Sequence, residues 1–243
     1  MDGQNALNGV TVYTEQNIYD FDNQIMLHYY PRRILEFVDN PKELSLLDLG
    51  LGHGYSAIEF SGKFKEHTIL EGNPEIIQQF KERYNSSGMH IIQTWFEEYE
   101  PDDKFDIIVI GFVLEHVDDP LQLLKKYRAF LKEGGSLFLA SPNAETLNRR
   151  IGHAAGLLPD MLQLSEHDFL CGHKRYFTHH SLNELCRNAG LNVVKEEGLY
   201  LKPLTTRQMI SLNLDQSILD ALCIVGQNYP ELSLGILMEC KLK

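Results

Sequence analysis

Apolar and polar positions follow two different periods along this chain. Short runs such as Phe105–Ile110 are apolar almost throughout, which predicts strands covered on both faces. Amphipathic stretches of helical period separate them, as in Pro74–Tyr84, where proline suits the first helical turn. The alternation predicts an α/β fold with a mostly parallel sheet and helices on both of its faces.

The same pattern places the individual elements. It predicts strands over residues 44–49, 67–70, 90–93, 105–110, 136–140, 191–196 and 234–242. It predicts helices over residues 55–64, 74–84, 120–131, 181–189 and 216–226, with Gly134 and Gly135 stopping the third. An amphipathic stretch at 19–38 predicts an N-terminal helical cover made of residues 1–40. The regular pattern breaks at about 142–180, which predicts a lid inserted into a main domain of residues 41–243.

A glycine-rich turn follows the first strand, in the sequence LLDLGLGHG. Gly50, Gly52 and Gly54 flank Leu51 and His53 and allow the backbone to approach a ligand closely. A nicotinamide-binding turn prefers G-x-G-x-x-G, whereas the third glycine here comes one residue early. Asp48 precedes the turn, where a pyrophosphate would lie, and its carboxylate favours a cationic ligand such as S-adenosylmethionine. A purely structural tight turn is the alternative.

An acidic side chain ends the second predicted strand. Glu71 follows Asp48 by 23 positions. A carboxylate there can accept hydrogen bonds from both hydroxyls of a ribose. The alternative is a solvated glutamate at a strand end, and the spacing favours the ribose.

Three further stretches follow the glycine turn in a characteristic order: LEGNP, FDIIVIGFVLEHVDDP and LKEGGSLFLASPN. With them the chain resembles the class I S-adenosylmethionine-dependent methyltransferases, above all the small-molecule branch of ubiquinone-biosynthesis and natural-product O-methyltransferases. The resemblance covers residues 40–142, and the last two strands more loosely. It implies a Rossmann-like, doubly wound sheet of seven strands, mostly parallel, with an antiparallel C-terminal strand and a helical lid insertion.

The resemblance also implies a cofactor, S-adenosyl-L-methionine, which leaves as S-adenosyl-L-homocysteine. Gly72 lies in the second motif beside the ribose-binding acid. The aspartate that the family carries after the third strand is missing, and Trp95 or Phe96 is expected to flank the adenine instead. The backbone carbonyls of Gly111 and Phe112 are expected to face the methionyl ammonium group.

Three side chains are candidates for the reacting end of the site. His116 follows the fourth strand, and imidazole is the side chain best suited to proton transfer near neutral pH. A histidine that only caps the next helix is the alternative. Tyr29 is predicted to act in catalysis and Tyr30 to touch the substrate, although at least one of the two is expected simply to pack on the sheet.

The predicted lid lacks the acidic excess that the rest of the chain carries. Residues 142–180 hold four basic residues, four acidic residues and five histidines. Arg149, His173, Lys174 and Arg175 are therefore predicted to bind an anionic substrate, with solvated loop charges as the alternative. The lid histidines and Asp168 match no known metal-ligand spacing, and no metal is expected.

The net charge and the cysteines limit which binding partners and which cellular compartment are expected. A formal net charge of −12 argues against binding to nucleic acid or to an anionic membrane. No apolar run is long enough to cross a bilayer, and the first 30 residues do not resemble a signal peptide. The four cysteines include no Cys-x-x-Cys pair, which favours free thiols in the cytoplasm.

The combined expectation is a methyltransferase acting on an oxygen of a small, anionic metabolite, with a homodimer as a possible assembly. No Asn/Asp-Pro-Pro-Tyr follows the fourth strand, and no cysteine nucleophile lies near a catalytic loop, which argues against methylation of nucleic-acid bases. An N-methyltransferase of an amino sugar or other small amine stays open, as does an idle subunit that only binds cofactor. A nicotinamide oxidoreductase is disfavoured by the glycine spacing.

Overall fold

The computed structural model describes residues 17–243, so the first part of the predicted N-terminal cover lies outside the described residues. The strands are β1 (Ser45–Leu49), β2 (Glu66–Glu71), β3 (His90–Gln93), β4 (Phe105–Gly111), β5 (Leu131–Pro142), β6 (Leu191–Gly198) and β7 (Gly235–Leu242). The helices are α1 (Asp20–Phe37), α2 (Tyr55–Phe60), α3 (Pro74–Arg83), α4 (Pro120–Ala129), α5 (Leu147–Ala154), α6 (Glu166–Leu170), α7 (His179–Asn188), α8 (Thr206–Ser211) and α9 (Gln216–Gly226). A short 3₁₀ turn covers Pro41–Glu43.

The strands form one seven-stranded sheet in the order β3-β2-β1-β4-β5-β7-β6. The pairs from β3 through β5 are parallel, while β7 lies antiparallel to both of its neighbours. All five residues of β1 are buried, as expected of a central strand with helices on both faces. The predicted seven-stranded doubly wound fold is confirmed.

The order in which successive strands are added to the sheet reverses between β1 and β4. From β1 the chain proceeds outward to β2 and β3, then returns to place β4 on the other side of β1. In sheets of this kind the loops after β1 and β4 separate and leave a crevice at the carboxyl ends of the strands. The fold therefore brings the glycine turn and the LEHV segment to one edge.

One boundary predicted from glycine was wrong. Helix α4 ends at Ala129, and Gly134 and Gly135 lie inside β5. The pairing of β5 with β4 shifts register between Phe105 and Ile107. A Cβ added at Gly135 would lie 2.6 Å from the carbonyl oxygen of Asp106, so glycine here permits two backbones to approach closely.

Helix α1 covers one face of the sheet near the crevice. Met26, Tyr30 and Ile34 are buried on its inner side, with the helical spacing the sequence showed. The lid region contains α5 and α6, and α8 lies in a segment that the sequence pattern left unassigned. Among residues 17–243, no helix is both long and apolar enough to cross a membrane.

Candidate active site

A cavity of about 710 Å³ opens at the carboxyl edge of the sheet. Its wall combines the turn after β1, the end of β2, the loop after β4, helix α1 and the lid. Predicted site residues in this wall are Tyr30, Gly50, Leu51, Gly52, Glu71, Phe96, Gly111, Phe112, His116, Arg149 and His173. The structure thus brings most of the sequence-predicted site together in one cavity.

The turn after β1 owes its shape to glycine. Gly50, Gly52 and Gly54 all have positive φ, at 87°, 47° and 84°. Asp48 lies beneath this turn and does not line the cavity. It is 1% exposed, and its Oδ2 accepts a hydrogen bond of 3.0 Å from the Ser56 hydroxyl. Asp48 therefore anchors the start of α2 under the turn, and the structure does not bring it to the cavity as the sequence predicted.

Glu71 connects the turn with the end of β2. One carboxylate oxygen accepts from the Leu51 N–H at 3.0 Å and the other from the Asn73 N–H at 2.9 Å. Burial raises the pKa of Glu71 above its ordinary value, although these backbone hydrogen bonds oppose the shift. The side chain also lines the cavity. This arrangement fits a ribose with two neighbouring hydroxyls.

Of the two aromatic candidates for the adenine side, Phe96 lines the cavity. Trp95 is 48% exposed and packs against Gly72, where an added Cβ would lie only 2.3 Å from the indole ring. Gly72 thus makes room for Trp95, and neither residue belongs to the cavity wall.

The loop after β4 forms the middle of the cavity wall. Phe112 has a φ of 57°, an uncommon conformation for a residue with a side chain. A Cβ added at Gly111 would lie 2.8 Å from the Tyr30 hydroxyl oxygen, so the tyrosine closes over this backbone. Tyr29 lies outside the cavity, where its hydroxyl accepts from the Gln227 amide at 2.6 Å. No contact supports the catalytic role predicted for Tyr29.

Glu115, His116 and His173 meet in one corner of the cavity, which we call the acceptor corner. Burial raises the pKa of Glu115 to about 7, although the nearby His173 opposes the shift. Burial also lowers the pKa of His116 to about 3, and His173 adds to the effect. The imidazole of His116 is consequently neutral at physiological pH and suited to accepting a hydrogen bond.

His173 has a different environment. Its Nδ1 lies 3.2 Å from Oδ1 of Asp168, a carboxylate that also accepts from the Tyr176 hydroxyl at 2.8 Å. Burial alone would lower the pKa of His173, but Asp168 and Glu115 outweigh burial and raise it. The sequence marked Asp168 only as one of several lid residues, and nothing in the pattern tied it to His173 in particular.

The lid cations do not face the cavity as an anion-binding cluster. Lys174 pairs with Asp118, and the Arg175 guanidinium donates to backbone carbonyls of Val117 and Asp118. Neither residue lines the cavity. Arg149 does, but its guanidinium donates to three backbone carbonyls within the lid region. An anionic substrate is therefore not supported.

Arg175 should contribute to stability through the loop it holds. We expect Arg175→Ala to lower the free energy of unfolding by about 2–3 kcal/mol, because it removes charge-assisted hydrogen bonds to the loop after β4. Urea denaturation measures this change. Arg187→Ala, at an exposed position on α7, is the control and should stay within about 0.5 kcal/mol of the parent protein. A parent-like stability of Arg175→Ala would contradict this role.

Comparison with known proteins adds to this geometry. The family model described as "Methyltransferase domain" matches residues 23–196, which are most of the chain and include strands β1 to β5. The chain belongs to this methyltransferase family. It is an S-adenosylmethionine-dependent methyltransferase, as its fold and glycine turn predicted. The ubiquinone biosynthesis O-methyltransferase of Haemophilus ducreyi is 27% identical over 172 residues, which make up 67% of this chain and 71% of that protein.

Solved methyltransferases share the fold at lower sequence identity. One from Thermotoga maritima, described as a possible histamine N-methyltransferase, has a TM-score of 0.64 at 18% identity and covers 93% of each chain. The glycopeptide N-methyltransferase MtfA, solved with S-adenosylmethionine, has a TM-score of 0.58 at 15% identity, covering 89% of this chain and 94% of that one. These structures support the fold; they leave the acceptor of this methyltransferase open.

Proposed function

We propose that this methyltransferase transfers the methyl group to a hydroxyl oxygen of a small molecule. The observation that carries the proposal is one continuous cavity wall, with Glu71 and the glycine turn in one part and His116 and His173 in another. Its volume falls within the roughly 300–1,000 Å³ of small-molecule sites. The relatives named ubiquinone biosynthesis O-methyltransferase favour oxygen as the acceptor atom.

In this proposal the cofactor lies along the edge formed by the turn after β1 and the loop after β4. Glu71 would bind the ribose hydroxyls, Phe96 would flank the adenine, and the backbone at Gly111 and Phe112 would face the methionyl part. When bound, S-adenosylmethionine supplies an activated methyl group. The task left to the chain is to align the acceptor and exclude water.

The acceptor corner then positions the hydroxyl. The neutral imidazole of His116 can accept a hydrogen bond from that group, and the Tyr30 hydroxyl beside Gly111 can donate one. Burial raises the pKa of Tyr30 well above its ordinary range, so its hydroxyl stays protonated and remains a donor. Lys174 and Arg175 have no role in this proposal.

The proposal is tested with a panel of small acceptors and a cofactor that carries a ¹³C-labelled methyl group. The panel pairs each hydroxylated aromatic or aliphatic compound with the analogue in which an amine replaces the hydroxyl. We expect O-methyl signals in the NMR spectrum of products from the hydroxyl series. N-methyl products alone would contradict the proposal, and so would binding of S-adenosylhomocysteine without turnover of any acceptor.

A further inference from the structure

The acceptor corner holds three side chains that together could bind a metal ion. One ligand atom each from Glu115, His116 and His173 lies within 4.8 Å of the others. Glu115 and His116 come from the loop after β4, and His173 comes from the lid. All three line the cavity. The group could not be recognised as a motif in the sequence, because His173 follows His116 by 57 positions.

The carboxylate of Glu115 is buried and makes no hydrogen bond within residues 17–243. The residue is 1% exposed, and neither carboxylate oxygen makes a hydrogen bond with the described residues. Buried carboxylates are almost always paired with a cation or hydrogen-bonded, because desolvation of an unpaired charge is costly. The imidazole rings of His116 and His173 lie edge to face, with centroids 4.7 Å apart. A metal cation bound among the three side chains would pair with this buried carboxylate.

Both histidines are oriented from outside the group. Nδ1 of His173 faces Asp168, which is itself held by the Ser165 N–H at 2.7 Å and the Tyr176 hydroxyl. Nδ1 of His116 lies beside Gly172, where an added Cβ would be 3.7 Å away. Metal-bound histidines characteristically use one nitrogen for the metal and the other for an outer carboxylate or backbone group. In an arrangement of this kind Nε2 of each ring would be the atom that binds the metal.

We propose that Glu115, His116 and His173 bind a divalent transition-metal ion, with the remaining coordination positions open to the cavity. One carboxylate and two imidazoles form a donor set typical of Zn²⁺ and related ions, whereas Mg²⁺ and Ca²⁺ prefer oxygen ligands alone. Sites with three protein ligands and an open position are typical of catalytic metals. Asp168 acts as the outer carboxylate that fixes His173.

The role of the metal rests on the proposed function. With the metal bound, His116 is a metal ligand and no longer accepts a hydrogen bond from the acceptor hydroxyl, which binds at the open position instead. A bound cation lowers the pKa of an oxygen that it coordinates, so this hydroxyl loses its proton to solvent more readily. That oxygen then forms the new bond to the methyl carbon as the carbon–sulfur bond breaks, and the electron pair of that bond returns to sulfur. The products are a methyl ether and S-adenosylhomocysteine. The metal therefore selects hydroxylated acceptors.

Metal binding is tested on the full chain after treatment with a chelator. The protein is titrated with Zn²⁺, Mn²⁺ and Mg²⁺ by calorimetry, and bound metal is counted by mass spectrometry after desalting. We expect one Zn²⁺ per chain. Glu115→Gln and His173→Ala should each weaken it at least 10-fold, and Asp168→Asn about 10- to 100-fold through its effect on His173.

The control is His179→Ala, which removes a lid histidine that pairs with Glu196 outside the group. This variant should bind Zn²⁺ like the parent protein. Thermal melting identifies any variant that fails to fold, and the visible spectrum of the Co²⁺-loaded parent protein reports nitrogen and oxygen ligation without any substitution. Substoichiometric metal, a Co²⁺ spectrum like that of the free ion, or affinity unchanged in folded Glu115→Gln and His173→Ala would each overturn the proposal.

A separate measurement keeps this result distinct from the proposed function. S-adenosylhomocysteine is titrated into the same preparation in the presence of chelator, where the cofactor edge at Glu71 should still bind it. Cofactor binding and O-methyl products without any metal would refute the metal site and leave the proposed function intact. Metal binding with exclusively N-methylated products would refute the proposed function and leave the metal site intact.

Discussion

Glu71→Gln should weaken binding of S-adenosylhomocysteine roughly 30- to 150-fold, equivalent to a loss of about 2–3 kcal/mol. In the proposed binding mode this carboxylate accepts from both ribose hydroxyls, and hydrogen bonds to a charged group are the stronger kind. Glutamine keeps the size of the side chain but offers one carbonyl oxygen. The carboxylate of Glu71 accepts hydrogen bonds from the N–H groups of Leu51 and Asn73. In glutamine the amide NH₂ replaces one of these oxygens, so one of the two hydrogen bonds is lost. Calorimetric titration measures the effect.

The control is Glu66→Gln, which makes the same change at the exposed start of the same strand. It should bind S-adenosylhomocysteine like the parent protein. Thermal melting of both variants separates a local loss of binding from a loss of fold. Parent-like affinity in folded Glu71→Gln would contradict the assignment of Glu71 to the cofactor.

Lys202→Met should destabilise the fold by about 3–5 kcal/mol, because it leaves a buried partner charge without compensation. Lys202 and Asp22 are each about 5% exposed, and Nζ lies 2.6 Å from Oδ2 of the aspartate. The ammonium group also donates to the Thr206 hydroxyl at 2.6 Å. This pair joins α1 to the segment that follows β6, beside the cavity. The free energy of unfolding from urea denaturation tests it.

Lys63→Met provides a matched change at an exposed ion pair, since Lys63 lies just beyond the end of α2 and contacts Glu59 at 2.9 Å. That substitution should cost no more than about 0.5 kcal/mol. A similar small cost for Lys202→Met would show that the buried pair does not hold the N-terminal helix to the domain.

The arrangement of the turn after β1 and the end of β2 could be predicted from the sequence because its signals are local. The glycine turn, the strand before it and the acid that ends the next strand all lie within 26 residues, from Leu46 to Glu71. Their relative placement follows once a parallel sheet is predicted, since the carboxyl ends of parallel strands share one edge. Asp48 belongs to the same local pattern, but its side chain lies beneath the turn and accepts a hydrogen bond from Ser56.

The acceptor corner could not be predicted in the same way. His173 reaches Glu115 through the packing of the lid, and Lys202 reaches Asp22 across 180 positions of sequence. Neither pairing leaves a periodic or spaced signal. Arg175 shows the opposite error: local positive charge indicated an anion site, but its guanidinium binds backbone carbonyls of the loop after β4. A cluster of cations in sequence does not show which groups the cations face.

The most direct test of this account is a crystal structure of the protein with S-adenosylhomocysteine. We expect ribose hydroxyls within hydrogen-bond distance of Glu71, the adenine against Phe96, and the sulfur directed toward the acceptor corner. Density for the ligand outside this cavity, or a ribose that does not contact Glu71, would contradict it.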